Sequence, residues 1–102
     1  MTTAVDHAVV LSASAPGTLA VSGVLSFDTA ASALRDIQAA LAKGTVATLD
    51  LAGVWHSDSA GLSCVLAVTA EANRRGHALQ VIHMPAGMQV LAQVCEVDRL
   101  LG

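Results

Sequence analysis

The side chains capable of chemistry gather in one short run. His56, Ser57, Asp58 and Ser59 stand together, followed by Ala60, Gly61 and Leu62. An imidazole, two hydroxyls and a carboxylate in sequence suggest a nucleophile. Ser57-x-Ser59-x-Gly61 is one residue away from the Gly-x-Ser-x-Gly elbow, in which a strained strand-to-helix turn exposes a serine. Geometry opposes that reading. A catalytic triad brings serine, imidazole and acid together from separate elements, with the imidazole bridging the other two. Neighbours in one turn point in different directions. His77 and His83 could in principle supply a base, but a hydrolase of that kind needs a larger sheet than 102 residues can build. Ser57 also stands where the elbow uses glycine. No catalytic residue is expected, and the chain is read as a non-enzyme.

Other chemistries are no better supported. Neither Gly-x-x-x-x-Gly-Lys-Ser/Thr nor Gly-x-Gly-x-x-Gly occurs, so nothing cradles a phosphate. His7, His56, His77 and His83 are scattered, and Cys64 and Cys95 lack metal-ligand spacing. Neither metal nor cofactor is expected. Both thiols are read as buried, in a reducing compartment. For the motif, two roles remain. Asp58 can cap a helix, at about 1 kcal/mol. Ser59, in the first helical turn, lies by the positive end of the helix dipole. A phosphate there would add roughly −1.5 to −2 charges. The helix would tolerate that charge, while an acidic or apolar partner docked over the turn would be repelled.

The elements that must position this run follow from periodicity. His7–Ser12 is a short apolar strand, and Ser14-Ala15-Pro16-Gly17 is turn chemistry. Thr18–Leu25 alternates, with Leu19, Val21 and Leu25 on one face, which completes a hairpin. Residues 1–6 read as a loose lead-in. Asp28 or Thr29 caps a helix whose stripe is Ala30, Leu34, Ile37 and Leu41, ended by Gly44. Val46–Leu51 suits an interior strand covered on both faces. Trp55–Ser59 is then read as a loop that runs into the next helix. Asp58–Arg75 is helical, with Leu62, Val65, Leu66, Thr69 and Ala72 along one side and Gly76 as its stop. Arg74 and Arg75 complement the dipole at its C-terminus. Ala78–His83 is a strand. Pro85 opens a third helix through Met88, Leu91 and Val94, and Glu96–Leu101 is a short amphipathic tail. The order is β-β-α-β-α-β-α, an α/β arrangement with helices on a sheet that includes parallel pairs.

Composition sets the limits. The length suits one domain over residues 1–102. Hydrophobic residues make up 54% and twenty of all residues are alanine, whereas aromatics are Phe27 and Trp55 alone. The core is therefore expected to be aliphatic, with helices approaching the sheet over small side chains. The net charge is −3 and the only basic pair is Arg74-Arg75. Nucleic-acid binding needs clustered cations, so it is excluded. The uncharged stretches 7–27 and 76–95 are interrupted by proline and glycine and are not read as membrane spans. The N-terminus carries Asp6 and no basic region ahead of an apolar one, unlike a signal peptide.

Val46-Ala-Thr-Leu-Asp-Leu-Ala-Gly-Val54, followed by Ser57-Asp-Ser-Ala-Gly-Leu62, resembles the signature of STAS domains, the sulfate-transporter and anti-sigma-factor-antagonist modules. The family pattern is an apolar strand ending in Asp-Leu, a short loop, then Asp-Ser/Thr-x-Gly-Leu opening a helix. Here the helix-start residues are Asp58, Ser59, Gly61 and Leu62. The resemblance implies a mixed sheet with helices packed on one side, and Ser59 as the position of the phospho-acceptor in bacterial regulators. Asn73-Arg-Arg-Gly76, Met84-Pro85 and Leu91–Leu101 are further similar to the MlaB branch, the cytoplasmic STAS subunits of Mla phospholipid-transport ABC complexes of Gram-negative bacteria. That branch implies a partner, the ABC transporter ATPase subunit, and through it the permease. It implies a place in the cytoplasm, peripheral to the inner membrane, and a part in outer-membrane lipid asymmetry. The alternative is an anti-sigma-factor antagonist switched by phosphorylation of Ser59. Trp55-His56 is bulkier than the family pattern leads one to expect, and Trp55 is either core filler or an interface anchor. The expected partner-binding surface is Trp55, His56, Ser57, Asp58 and Ser59, with Ser63 on the following helix.

Overall fold

Two hydrophobic periods, 2 in the strands and 3.6 in the helices, each leave one apolar face to bury. A computed structural model describes residues 9–95. It contains β1 (Val9–Ala15), β2 (Thr18–Leu25), α1 (Ala30–Leu41), β3 (Thr48–Ser57), α2 (Ser59–Arg74), β4 (Gln80–Ile82) and α3 (Ala86–Val94). The sheet order is β1-β2-β3-β4. β1 and β2 are antiparallel, while β2–β3 and β3–β4 are parallel. The lead-in 1–6, His7 and the tail Glu96–Leu101 lie outside the described residues.

The core is aliphatic, as composition requires. Leu19, Val21 and Leu25 of β2 and Leu49, Leu51 and Val54 of β3 meet Ala33 and Ile37 of α1, Leu62, Val65 and Val68 of α2, and Met88 and Ala92 of α3. α2 packs between α1 and α3. Close approach is achieved at Gly61, where a Cβ atom would stand 2.2 Å from the backbone oxygen of Leu25. Only glycine lets the first turn of α2 sit on the end of β2.

Several boundaries differ from the sequence reading. β1 runs on through Ala15, so the turn shrinks to Pro16-Gly17. β3 is interior but not covered on both faces: Thr48 and Asp50 are half-buried and Ala52 is exposed. β4 is only three residues long. His83 ends it by adopting a positive φ of 56°, and Pro85 then opens α3. Thr29 occupies the N-cap of α1 without capping it. Its hydroxyl instead donates to the Val24 carbonyl and accepts from the Ser26 amide, bracing the β2–α1 loop. Cys64 is buried, but Cys95 is exposed.

The largest correction concerns Trp55–Ser57, which is strand and not loop. β3 carries two extra residues relative to β2, one between Asp50 and Gly53 and one between Val54 and His56. Bulges of this kind reverse the in–out alternation and re-aim side chains. A regular strand would place residue 55 on the same face as Leu49 and Leu51. After the first bulge, Val54 takes the inward position and Trp55 turns out, 70% exposed. Gly53 fits the bulge because a Cβ there would lie 2.5 Å from the Cβ of Ser22.

Candidate functional site

At the C-terminal end of β3 the chain passes directly into α2, and Asp58 makes the junction. Its backbone is extended (φ −135°, ψ −167°), as an N-cap requires. One carboxylate oxygen accepts from the amides of Ala60 and Gly61, at 2.9 and 3.1 Å. The other accepts from the Phe27 amide at 3.0 Å, 31 residues away in the chain. Asp58 thus caps α2 and pins the β2–α1 loop beside it. Burial by itself pushes its carboxyl up. The Phe27, Gly61 and Ala60 amides, with the charge of nearby His56, outweigh burial and hold it below the usual carboxylate range.

Around this junction lies a depression of about 420 Å³. Buried Val24 and Ser26, exposed Phe27 and Trp55, and Asp28, His56 and Asp58 line it. Phe27 is 82% exposed. The Trp55 and His56 rings stand 6.1 Å apart at 43°. Trp55, His56 and Asp58 therefore line one depression. Ser57 is half-buried at the strand end, paired with Leu25 in register. Ser59 is exposed in the first turn of α2. Ser63 is exposed but lines a different surface, a shallow groove of about 400 Å³ between α1 and α2 with Ala31, Leu34, Ala60 and Ala67. Gly61 and Leu62 face the core.

Phe27 was not singled out from sequence. The available signal was its position. It lies beyond the last inward residue of one strand and before the first residue of the helical stripe, so neither period buries it.

The other candidate groups lie elsewhere. His83 Nδ1 is 2.9 Å from Asp50 Oδ1. The Ala52 amide and His83 together hold the Asp50 carboxyl below its ordinary value. His77 follows the C-terminus of α2. It is separated from Ser59 by a 16-residue helix, roughly 24 Å of rise. The structure therefore does not bring either histidine to Ser59. Arg74 and Arg75 both ion-pair with Glu71. Cys64 sits under α2, where burial pushes its thiol up to about 11. A further depression, about 680 Å³, lies at the opposite end of the sheet, between the β1–β2 hairpin and α1. It includes none of the motif residues. Among the described residues no helix is long and apolar enough to cross a membrane.

Comparison with known proteins places this architecture. No curated protein matches the chain. Two solved structures share its fold at 18% identity. One is the anti-sigma factor antagonist SpoIIAA in its unphosphorylated form, with a TM-score of 0.69 over 91% of this chain and 84% of that one. The other is the Bacillus cell fate determinant SpoIIAA in the phosphorylated form, with a TM-score of 0.67 over 91% and 87%. The family model described as "Mlab, STAS domain" matches residues 8–102. With that match over nearly its whole length, the chain belongs to the MlaB-type STAS domain family.

Proposed function

We propose that this chain is a non-enzymatic subunit that binds and supports the ATPase of a Mla-type phospholipid-transport ABC complex. In that role it acts in the cytoplasm, held at the inner membrane through its partner, and contributes to outer-membrane lipid asymmetry. Membership of the MlaB-type family supports the reading. The observation that carries it is the pair of exposed aromatics beside the Asp58–Ser59 turn. A domain with an aliphatic core leaves its two largest side chains in water, where they cost solubility and gain nothing for folding. Tryptophan at a rigid, partly concave surface is a common binding anchor. The docking surface is Trp55, His56, Ser57, Asp58 and Ser59, extended along α2 to Ser63.

Co-purification with the organism's ABC ATPases tests the reading. The expected result is a stable complex with one of them and a higher ATP turnover in the complex. No association with any member of the complete set would end it. Ser59→Glu sharpens the placement. The side chain is exposed, so thermal unfolding is expected to stay within a few degrees of wild type. Affinity is expected to fall about tenfold or more, since a charge is added at the contact. A variant that unfolds, or one that binds unchanged, removes Ser59 from the interface.

A second reading is an anti-sigma-factor antagonist switched at Ser59. It is favoured by the exposed hydroxyl at the first position of α2, next to the positive helix end. Mass spectrometry of the protein from cells, with a pull-down of a kinase-like anti-sigma factor, separates the two.

A further inference from the structure

The depression at the Asp58 turn has a specific chemical character. Two aromatic residues, Phe27 and Trp55, line it together with two carboxylates, Asp28 and Asp58, and a single imidazole, His56. Among the described residues no lysine or arginine lines it. Ring faces carry the negative end of an aromatic quadrupole, so they attract cations. Asp58 Oδ1 is filled by the Ala60 and Gly61 amides, whereas Oδ2 accepts from the Phe27 amide alone and keeps one lone-pair site free. The chain as a whole carries a net charge of −3.

We propose that this notch receives one arginine side chain from the docking segment of the protein partner. The inference rests on the reading of the turn as the docking surface and names what enters it. Alternative occupants fit less well. An acidic side chain would meet two carboxylates. An aliphatic one would cover the rings but strip water from Asp28 and Asp58 without pairing them, which is costly. A guanidinium satisfies both demands: its plane stacks on the rings, and its edge donates to carboxylates. Phe27 and Trp55 thereby become specificity residues of the interface, with Asp28 supplying charge.

Trp55 is the sole tryptophan of the chain, so its fluorescence reports directly on the notch. The full chain is titrated with a short blocked peptide containing one arginine, and with its citrulline and norleucine twins. The arginine peptide is expected to shift Trp55 emission saturably and to weaken as salt is raised. Phe27→Ala and Asp28→Asn are each expected to lower its affinity about three- to tenfold. Both residues are exposed, so both variants should keep the wild-type circular dichroism. Equal binding of the citrulline or norleucine twin, or no saturable response to the arginine peptide, overturns the proposal. The same variants are then measured against the cognate ATPase. If the ATPase binds wild type and both variants equally, the arginine notch is wrong and the docking reading stands. If arginine selectivity holds but no ATPase binds, the docking partner is wrong and the notch stands.

Discussion

The two ends of α2 are built on different principles. At the N-terminus, Asp58 accepts from Phe27 across 31 residues, and Gly61 lets the helix rest on the backbone of Leu25. At the C-terminus the contacts are local. Glu71 pairs with Arg74 and Arg75 at i+3 and i+4, both arginines are largely exposed, and Gly76 turns the chain away at φ 77°. One end is fixed by residues distant in sequence, the other by its own last turn. The difference shows where this fold invests rigidity. The junction beside the exposed aromatics and Ser59 is over-determined, so the partner proposed to dock there would meet a preformed surface and lose less entropy on ordering it.

Three substitutions break or sharpen that contrast. Gly61→Ala is expected to do the most damage. The new methyl meets a backbone oxygen, which cannot rotate away, so α2 or β2 must shift. A loss of about 2–3 kcal/mol or more, read by urea unfolding, is expected. A near-neutral variant would mean that α2 slides freely over β2 and that the junction is not rigid.

Asp58→Ala comes next, at about 1–2 kcal/mol, because it removes the cap and the bond to the β2–α1 loop. Its charge also sets a pH dependence. The folded carboxyl titrates below its unfolded value. The stabilisation is therefore fully present above the ordinary carboxylate value of about 4 and is lost as pH falls through the lower, folded value. Asp50 adds a dependence of the same sign. Unfolding free energy followed from pH 6 downward should drop less in Asp58→Ala than in wild type. An identical pH profile would remove Asp58 as the cause.

Glu71→Gln is expected to be the mildest. The ion pairs it breaks are exposed, local and screened by salt, so the change in stability is expected to be slight. The effect should vanish in high salt. A loss as large as that of Asp58→Ala would show that the two ends are not built differently after all.

Much of this was legible in the chain. Period-2 alternation in Thr18–Leu25 and the helical stripe of α2 are local patterns, and both elements appear with nearly the expected limits. Asp58 as cap, the glycine at the end of α2, Pro85 at the start of α3 and the β-β-α-β-α-β-α order follow from residue types at fixed spacing. The scarcity of aromatics and the abundance of alanine correctly implied an aliphatic core with close helix–sheet approach. The thiols were less legible. Cys64 falls on the inward side of α2, whereas Cys95 sits just past the last turn of α3, where burial no longer follows from the helical stripe.

The sequence by itself determined the order of elements, the character of the core and the motif that joins β3 to α2. These depend on side-chain periodicity and capping, which act over a few residues. Tertiary structure alone decided the face of the site. The first bulge in β3, set by its backbone pairing with β2, turns Trp55 from the core side to solvent. The bond from Phe27 to Asp58 brings the second aromatic to the same depression. Register between strands and hydrogen bonds across 31 residues are fixed by what packs on what. No local pattern in the chain encodes them, because a one-residue slip in pairing reverses every side chain beyond it.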